Sequence, residues 1–198
     1  MITNKGCKKI IALFYKDKAA RLHLREIARR AGLHEPSTSR FLNGLEKESI
    51  LTSEKDGNLK KYSLMKNKSV YLFLALFDIE RFEQLPSFRK RAINYYLKEL
   101  EEKPVFVILF GSTAKGTLRR NSDLDLLLIT NRLISAKKAE AEAEALTSIK
   151  ISTFQVTFSK FQKELKLKEE PVIQSALFSG YPIYNHIAYY EELNDERI

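Results

Sequence analysis

Ten residues, Thr113 to Ser122, separate a Gly-Ser pair from two alternating aspartates. The segment runs Ile108-Leu109-Phe110-Gly111-Ser112 and resumes as Asp123-Leu124-Asp125-Leu126-Leu127-Leu128. An apolar run thus delivers a tight turn, and the chain returns as a second apolar strand. Residues i and i+2 of a strand share a face. The order therefore predicts Asp123 and Asp125 projecting side by side, flanked by Leu124 and Leu126. Two adjacent carboxylates repel unless a cation lies between them, and carboxylate oxygens suit Mg²⁺. A Gly-Ser turn facing that cation can offer backbone N–H groups and a hydroxyl to a phosphate. The combination points to a metal-nucleotide site.

On these residues the stretch from Pro104 to Asn185 resembles the nucleotidyltransferase superfamily that includes DNA polymerase beta. It is most similar to the minimal nucleotidyltransferase branch, whose signature is a Gly-Ser pair followed at this spacing by Asp-x-Asp. The resemblance implies that Asp123 and Asp125 are the catalytic, metal-holding pair, with Mg²⁺ set against the triphosphate of a bound nucleoside triphosphate. It implies nucleotide-binding roles for Gly111, Ser112, Lys115 and Ser122. Gly111 would let the backbone approach the phosphates, Ser112 would supply a hydroxyl, Lys115 would neutralise charge, and Ser122 would fix the turn into the aspartate strand. Arg119 and Arg120 are further loop candidates. In that chemistry an acceptor hydroxyl attacks the α-phosphorus and pyrophosphate leaves, the protein contributing alignment and charge neutralisation.

One departure bears on turnover. Active members of the superfamily usually carry a third carboxylate on the next strand, and here that strand, Ile151 to Phe158, contains no acid. Gln155 is the residue predicted to fill the position, with Thr153 or Thr157 as alternatives. Glu140, Glu142 and Glu144 on the preceding helix are possible substitutes. A neutral amide binds Mg²⁺ more weakly than a carboxylate and cannot serve as a base.

Charge divides the chain. Residues 1–66 hold 15 Lys/Arg against 7 Asp/Glu, while residues 67–198 hold 19 against 18, so nearly all of the net +9 lies in the first third. An excess confined to one region suggests an anionic partner for that region, most simply nucleic acid, and double-stranded DNA is the expectation once the pattern of that region is read. The apolar fraction of 44% allows a sizeable core. A single cysteine, Cys7, excludes an internal disulfide framework. The longest apolar run, near Val70 to Phe77, falls far short of the roughly 20 residues a membrane span needs. Met1 to Lys9 does not read as a signal peptide. A cytoplasmic protein without membrane contact is the expectation.

The basic third has its own pattern. Cys7 to Tyr15 has helical spacing, Leu22-His23-Leu24 is a short extended link, and Leu24 to Leu33 reads as a helix ended by Gly32. Glu35-Pro36-Ser37-Thr38 starts a second helix with Phe41, Leu42 and Leu45 on its apolar face. Lys55-Asp56-Gly57-Asn58 then turns a hairpin. Helix, helix-turn-helix and hairpin resemble the winged helix-turn-helix domains of microbial transcription regulators. The residues carrying the resemblance are Leu24-Arg25-Glu26-Ile27-Ala28, Ser37-Thr38-Ser39-Arg40-Phe41-Leu42, Leu45-Glu46-Lys47-Glu48 and Lys60-Lys61-Tyr62-Ser63-Leu64. The N-terminal end of the second helix is the part that meets base edges, so Ser37, Thr38, Ser39 and Arg40 are the candidate DNA contacts. Lys60 and Lys61 suit backbone phosphates on the wing. For Ser37 the alternative is capping of its own helix.

These readings predict an α+β chain in three parts. Residues 1–66 form a winged helix that binds DNA, 67–102 a helical connector of two helices broken near Pro86, and 103–190 a small nucleotidyltransferase-like mixed sheet with helices. The aromatic-rich first connector helix serves either the monomer's core or a homodimer interface, and both stay open. Ser159 is read as the cap of a late helix, and the acidic tail after Tyr190 as frayed. The function expected is Mg²⁺-dependent nucleoside triphosphate binding joined to DNA binding, with transfer of a nucleoside monophosphate to an acceptor. Two alternatives are a regulator that senses a nucleotide without catalysis, and, by resemblance to antitoxins of the minimal nucleotidyltransferase kind, an autoregulated protein that modifies a partner protein.

Overall fold

The computed structural model describes residues 4–117 and 122–194. Arg119 and Arg120 lie outside the described residues. The chain separates into two compact units, Met1–Phe77 and Asp78–Ile198. Among the described residues no helix is long and apolar enough to cross a membrane.

The first unit is a winged helix. Helix α1 (Lys5–Lys16) starts where the Asn4 side chain accepts the Gly6 N–H at 2.8 Å. Its buried stripe of Cys7, Ile10, Ile11 and Phe14 follows the helical period. A Cβ on Gly6 would strike the Phe41 ring, so this glycine permits the close approach of two helices. Strand β1 (Leu22–His23) leads into α2 (Leu24–Ala31), which ends at Gly32 with φ 61. A left-handed cap of that kind favours glycine. Helix α3 (Glu35–Lys47) carries Pro36 in its first turn. Its cap is His34 without a side-chain bond, so Ser37 does not cap it.

Strands β2 (Leu51–Asp56) and β3 (Leu59–Leu64) form the wing, and β1 adds on the far side of β3 to give the order β1-β3-β2, all antiparallel. Gly57, with φ 60, takes the first of the two loop positions. Ile27, Leu42, Leu45, Ile50 and Leu51 are almost fully buried. Each such side chain contributes about 1.5–3 kcal/mol of burial.

Helix α4 (Lys68–Glu83) begins with the Asn67 side chain accepting the Val70 N–H at 3.0 Å, and Pro86 separates it from α5 (Ser87–Glu99).

The second unit is built on a four-stranded mixed sheet. Its strands are β4 (Phe106–Phe110), β5 (Leu124–Thr130), β6 (Ile151–Thr157) and β7 (Tyr181–Tyr184), in the order β6-β5-β4-β7. Strand β4 is antiparallel to both neighbours, whereas β5 and β6 are parallel. A parallel pair needs a crossover, and α7 (Lys137–Thr147) supplies it. The short α6 (Gly111–Lys115) lies between β4 and β5. After β6 come α8 (Phe158–Leu167), α9 (Pro171–Ser179) and, beyond β7, α10 (His186–Asn194).

Alternation along the strands divides the core. Leu124, Leu126 and Leu128 join Val107 and Leu109 in packing on Ala92, Ile93 and Tyr96 of α5 and on Ala139 and Ala143 of α7. On the other face Phe106 meets the rings of Phe161 and Tyr189 edge-on, at 5.2 and 5.7 Å.

Two local expectations are corrected. Helix α8 is capped by Thr157, which accepts the Lys160 N–H at 3.4 Å, not by Ser159. The tail does not fray at Tyr190. Helix α10 continues to Asn194, anchored by the buried Tyr190 hydroxyl donating to Asp78 at 2.6 Å.

Candidate functional site

Strand β4 ends at Phe110, and the chain turns at Gly111 with φ 69 directly into α6. In register Asp125 lies between Phe110 of β4 and Ser152 of β6. Asp123 precedes β5 by one residue, two positions before Asp125. Both aspartates are half-buried, and a Cβ on Gly111 would collide with Asp125 Oδ2. The glycine is therefore required twice, by its left-handed backbone and by the carboxylate packed against it. Burial, and then the charge of Asp123, push the Asp125 carboxyl above the usual aspartate range. Both causes oppose ionisation.

Asp123 Oδ2 faces β6. Ser152 Oγ lies 3.5 Å from it and Lys150 Nζ 3.3 Å from it. The turn and the aspartate strand are tied together by Arg89 of α5, which is only 2% exposed. Its guanidinium donates to Thr113 Oγ1 at 3.1 Å and to the Ser122 carbonyl at 2.8 Å. Burial pushes the Arg89 guanidinium below its usual range, and the charge of Asp123 opposes that shift in part. Sequence reading missed both Lys150 and Arg89. Lys150 sits one residue ahead of the strand examined for an acid. Arg89 belongs to a helix far away in the chain, and no local pattern marks it.

The structure brings Gly111, Ser112, Asp123 and Asp125 together at one end of the sheet. Ser122 contributes its carbonyl to Arg89. Lys115 is exposed at the end of α6.

Gln155 is not the third-carboxylate position. It is paired with Leu128, three positions beyond Asp125, and so faces away from the aspartates. With its amide oriented to satisfy its neighbours, it accepts from Thr130 Oγ1 and bridges the N–H and C=O of Ile134. Thr153 and Thr157 share that wrong face by alternation, and Thr153 donates to Tyr96 at 2.8 Å. The β6 residues on the aspartate face are Ser152, Phe154 and Val156, with Ser152 opposite Asp125. Glu140 is occupied by the Thr153 N–H at 3.1 Å, and Glu142 lies 3.8 Å from Lys138.

Two carboxylates on one face, with Gly111 leaving room for one of them, fit a single hard divalent ion. Among the described residues no group of three His, Cys, Asp or Glu side chains could hold a metal.

In the first unit, Arg40 is exposed on α3, whereas Ser37 and Ser39 are half-buried. Thr38 is corrected: it is fully buried, donates to the His34 carbonyl at 3.0 Å, and belongs to the core. The exposed stripe is Pro36, Arg40, Asn43 and Lys47, at helical spacing. Asn43 was legible from its offset of three from Arg40 and was overlooked. Lys60 pairs with Glu46 at 2.9 Å and Lys61 with Asp56 at 2.5 Å. As consecutive strand residues they project to opposite faces, so they cannot lie together against one surface.

Residues 91–181 match the family model of polymerase beta nucleotidyltransferases, and residues 10–55 match the IclR helix-turn-helix domain. No curated protein matches the chain. Among solved structures, the transcriptional repressor BigR from Xylella fastidiosa is 16% identical over 43% of this chain and 82% of that one, with TM-score 0.37. MepR, a transcription regulator of the Staphylococcus aureus multidrug efflux pump MepA, is 21% identical over 49% and 76%, with TM-score 0.36. AF1382 from Archaeoglobus fulgidus is 13% identical over 42% and 92%, with TM-score 0.37. The chain joins an N-terminal helix-turn-helix domain to a nucleotidyltransferase domain of the polymerase beta kind.

Proposed function

We propose that this chain is a DNA-binding protein whose nucleotidyltransferase domain binds a nucleoside triphosphate with Mg²⁺ and transfers the nucleotide slowly or not at all. The observation that carries the reading is that β6 presents to the aspartate face Ser152, opposite Asp125, and beyond it Phe154 and Val156, none of them acidic. Asp123 and Asp125 would hold the ion, which when bound neutralises triphosphate charge. Gly111 admits the phosphates close to the backbone, the Ser112 hydroxyl donates to them, and Lys115 adds positive charge. Without a third carboxylate the site lacks an anionic ligand for a second ion and a base for an acceptor hydroxyl.

Residues 1–66 would supply the DNA contacts, 67–102 the connector and 103–190 the nucleotide site. Arg40 and Asn43 suit guanine and adenine edges respectively. Ser37 and Ser39 suit phosphates. One wing lysine, Lys60 or Lys61, would add a backbone contact. A homodimer would match paired half-sites.

The test is pyrophosphate release from labelled nucleoside triphosphates with Mg²⁺ and candidate acceptors, together with binding. Binding without sustained release, and a rise in release for Ser152→Asp, are expected. Robust release by the unmodified chain, lost in Asp125→Ala, would establish an active transferase instead.

A further inference from the structure

We infer that Lys150 is the chain's own cation at the aspartate pair, and that on nucleotide binding it passes from Asp123 to an anionic oxygen of the triphosphate, leaving the site with one divalent ion. The inference rests on the nucleotide-binding reading above and assigns a residue to the phosphate side of that same site.

Lys150 is the last residue before β6, and its carbonyl accepts the Leu124 N–H at 2.9 Å. Its Cα is therefore fixed beside the start of the aspartate strand. Its ammonium lies 3.3 Å from Asp123 Oδ2, the same oxygen that lies 3.5 Å from Ser152 Oγ. Asp123 thus meets a cation and a hydroxyl on the β6 side, where a second divalent ion would need an anion. Fold stability gives little reason for the lysine. The side chains are 62% and 39% exposed, and an exposed pair of this kind contributes about 0–1 kcal/mol.

Arg89, whose charge also acts on Asp123, cannot play this part. Arg89 is buried and committed to Thr113 and Ser122. Lys150 has an exposed ammonium on a flexible stem, which can pivot without breaking any buried bond. A divalent ion on Asp123 and Asp125 repels that ammonium, and a triphosphate beside the ion attracts it. Lys150 therefore opposes metal binding when phosphate is absent and favours phosphate binding when the metal is present. The opposite signs separate this role from a structural one.

The experiment uses the full chain, Mn²⁺ counted by electron paramagnetic resonance, and inorganic tripolyphosphate as a probe that carries no base. The unmodified chain should bind one Mn²⁺. Lys150→Gln should bind Mn²⁺ alone more tightly, and in the presence of Mn²⁺ should bind tripolyphosphate about tenfold more weakly, the effect of losing one charge-assisted bond. Lys150→Arg should keep the phosphate affinity. Unchanged tripolyphosphate affinity in Lys150→Gln, weakened Mn²⁺ binding in that variant, or two Mn²⁺ on the unmodified chain would each overturn the inference. Failure of the underlying reading looks different: no Mn²⁺ binding by the unmodified chain, or binding that survives Asp123→Asn with Asp125→Asn, would remove the site itself.

Discussion

Gly111 has no side chain at the point where Asp125 places its carboxylate, and a Cβ there would collide with Oδ2. The same residue has φ 69, so the turn that ends β4 and the space for the carboxylate depend on one glycine. Gly111→Ala meets both obstacles. The left-handed backbone alone costs about 1–2 kcal/mol for a residue with a Cβ, and the collision adds to it. Denaturant titration should report a loss above that figure, and nucleotide binding should fall with it. A variant as stable as the parent would show that Asp125 lies elsewhere.

The Asp125 carboxyl is pushed up by burial and by Asp123. Its folded-state pKa therefore exceeds its unfolded one, so the folded state holds the extra proton. The resulting stability is fully present below the unfolded pKa and is lost as pH rises through the raised folded value. In metal-free buffer, Asp125→Asn should remove this acidic-range dependence and raise Tm at neutral pH, by about 2–4 °C for each kcal/mol relieved. A lowered Tm at neutral pH would contradict the assigned repulsion.

Arg89 joins α5 to the Gly-Ser turn and to the residue preceding Asp123. Arg89→Met keeps much of the volume but leaves the Thr113 hydroxyl and the Ser122 carbonyl without this donor. Bonds to a charged group contribute about 1.5–3 kcal/mol each, so a loss of at least that size is expected in denaturant titration. Because Arg89 acts through the turn, nucleotide affinity should weaken in chains that remain folded, whereas the requirement for Mg²⁺ should be unchanged.

In the first unit, Arg40 and Asn43 share the exposed stripe of α3 and Thr38 is buried. Arg40→Ala and Asn43→Ala should each cost about 1–3 kcal/mol of DNA affinity if they read bases. Thr38→Ala should lower stability and leave the DNA affinity of the folded chain unchanged. Fluorescence anisotropy at several salt concentrations measures these effects, and affinity should fall steeply with salt as counterions are released. Equal losses from Thr38→Ala and Arg40→Ala would place the interface elsewhere.

The elements that announced themselves did so through local constraints. Gly32 and Gly57 marked turns, Pro86 marked the break between α4 and α5, and alternation about Leu124 and Leu126 put the two aspartates on one face. What stayed hidden depends on register. Alternation in β6 left two faces to choose between, and only pairing with β5 assigns Ser152 and Phe154 to the aspartates and sends Gln155 to Ile134. Thr38 looked like an exposed hydroxyl because its bond to the His34 carbonyl leaves no trace in composition. Helix α10 was missed because its acidic end masks the anchor that holds it, a tyrosine bonded to an aspartate more than a hundred residues earlier.

The central claim is that Asp123 and Asp125 bind a nucleoside triphosphate through a divalent ion. Calorimetric titration of the full chain with each of the four common nucleoside triphosphates, with and without Mg²⁺, tests it most directly. The account predicts binding of at least one of them that requires Mg²⁺ and is abolished by Asp123→Asn with Asp125→Asn in a chain that melts as cooperatively as the parent. Nucleotide affinity that is unchanged in the double variant, or that does not depend on Mg²⁺, would contradict it.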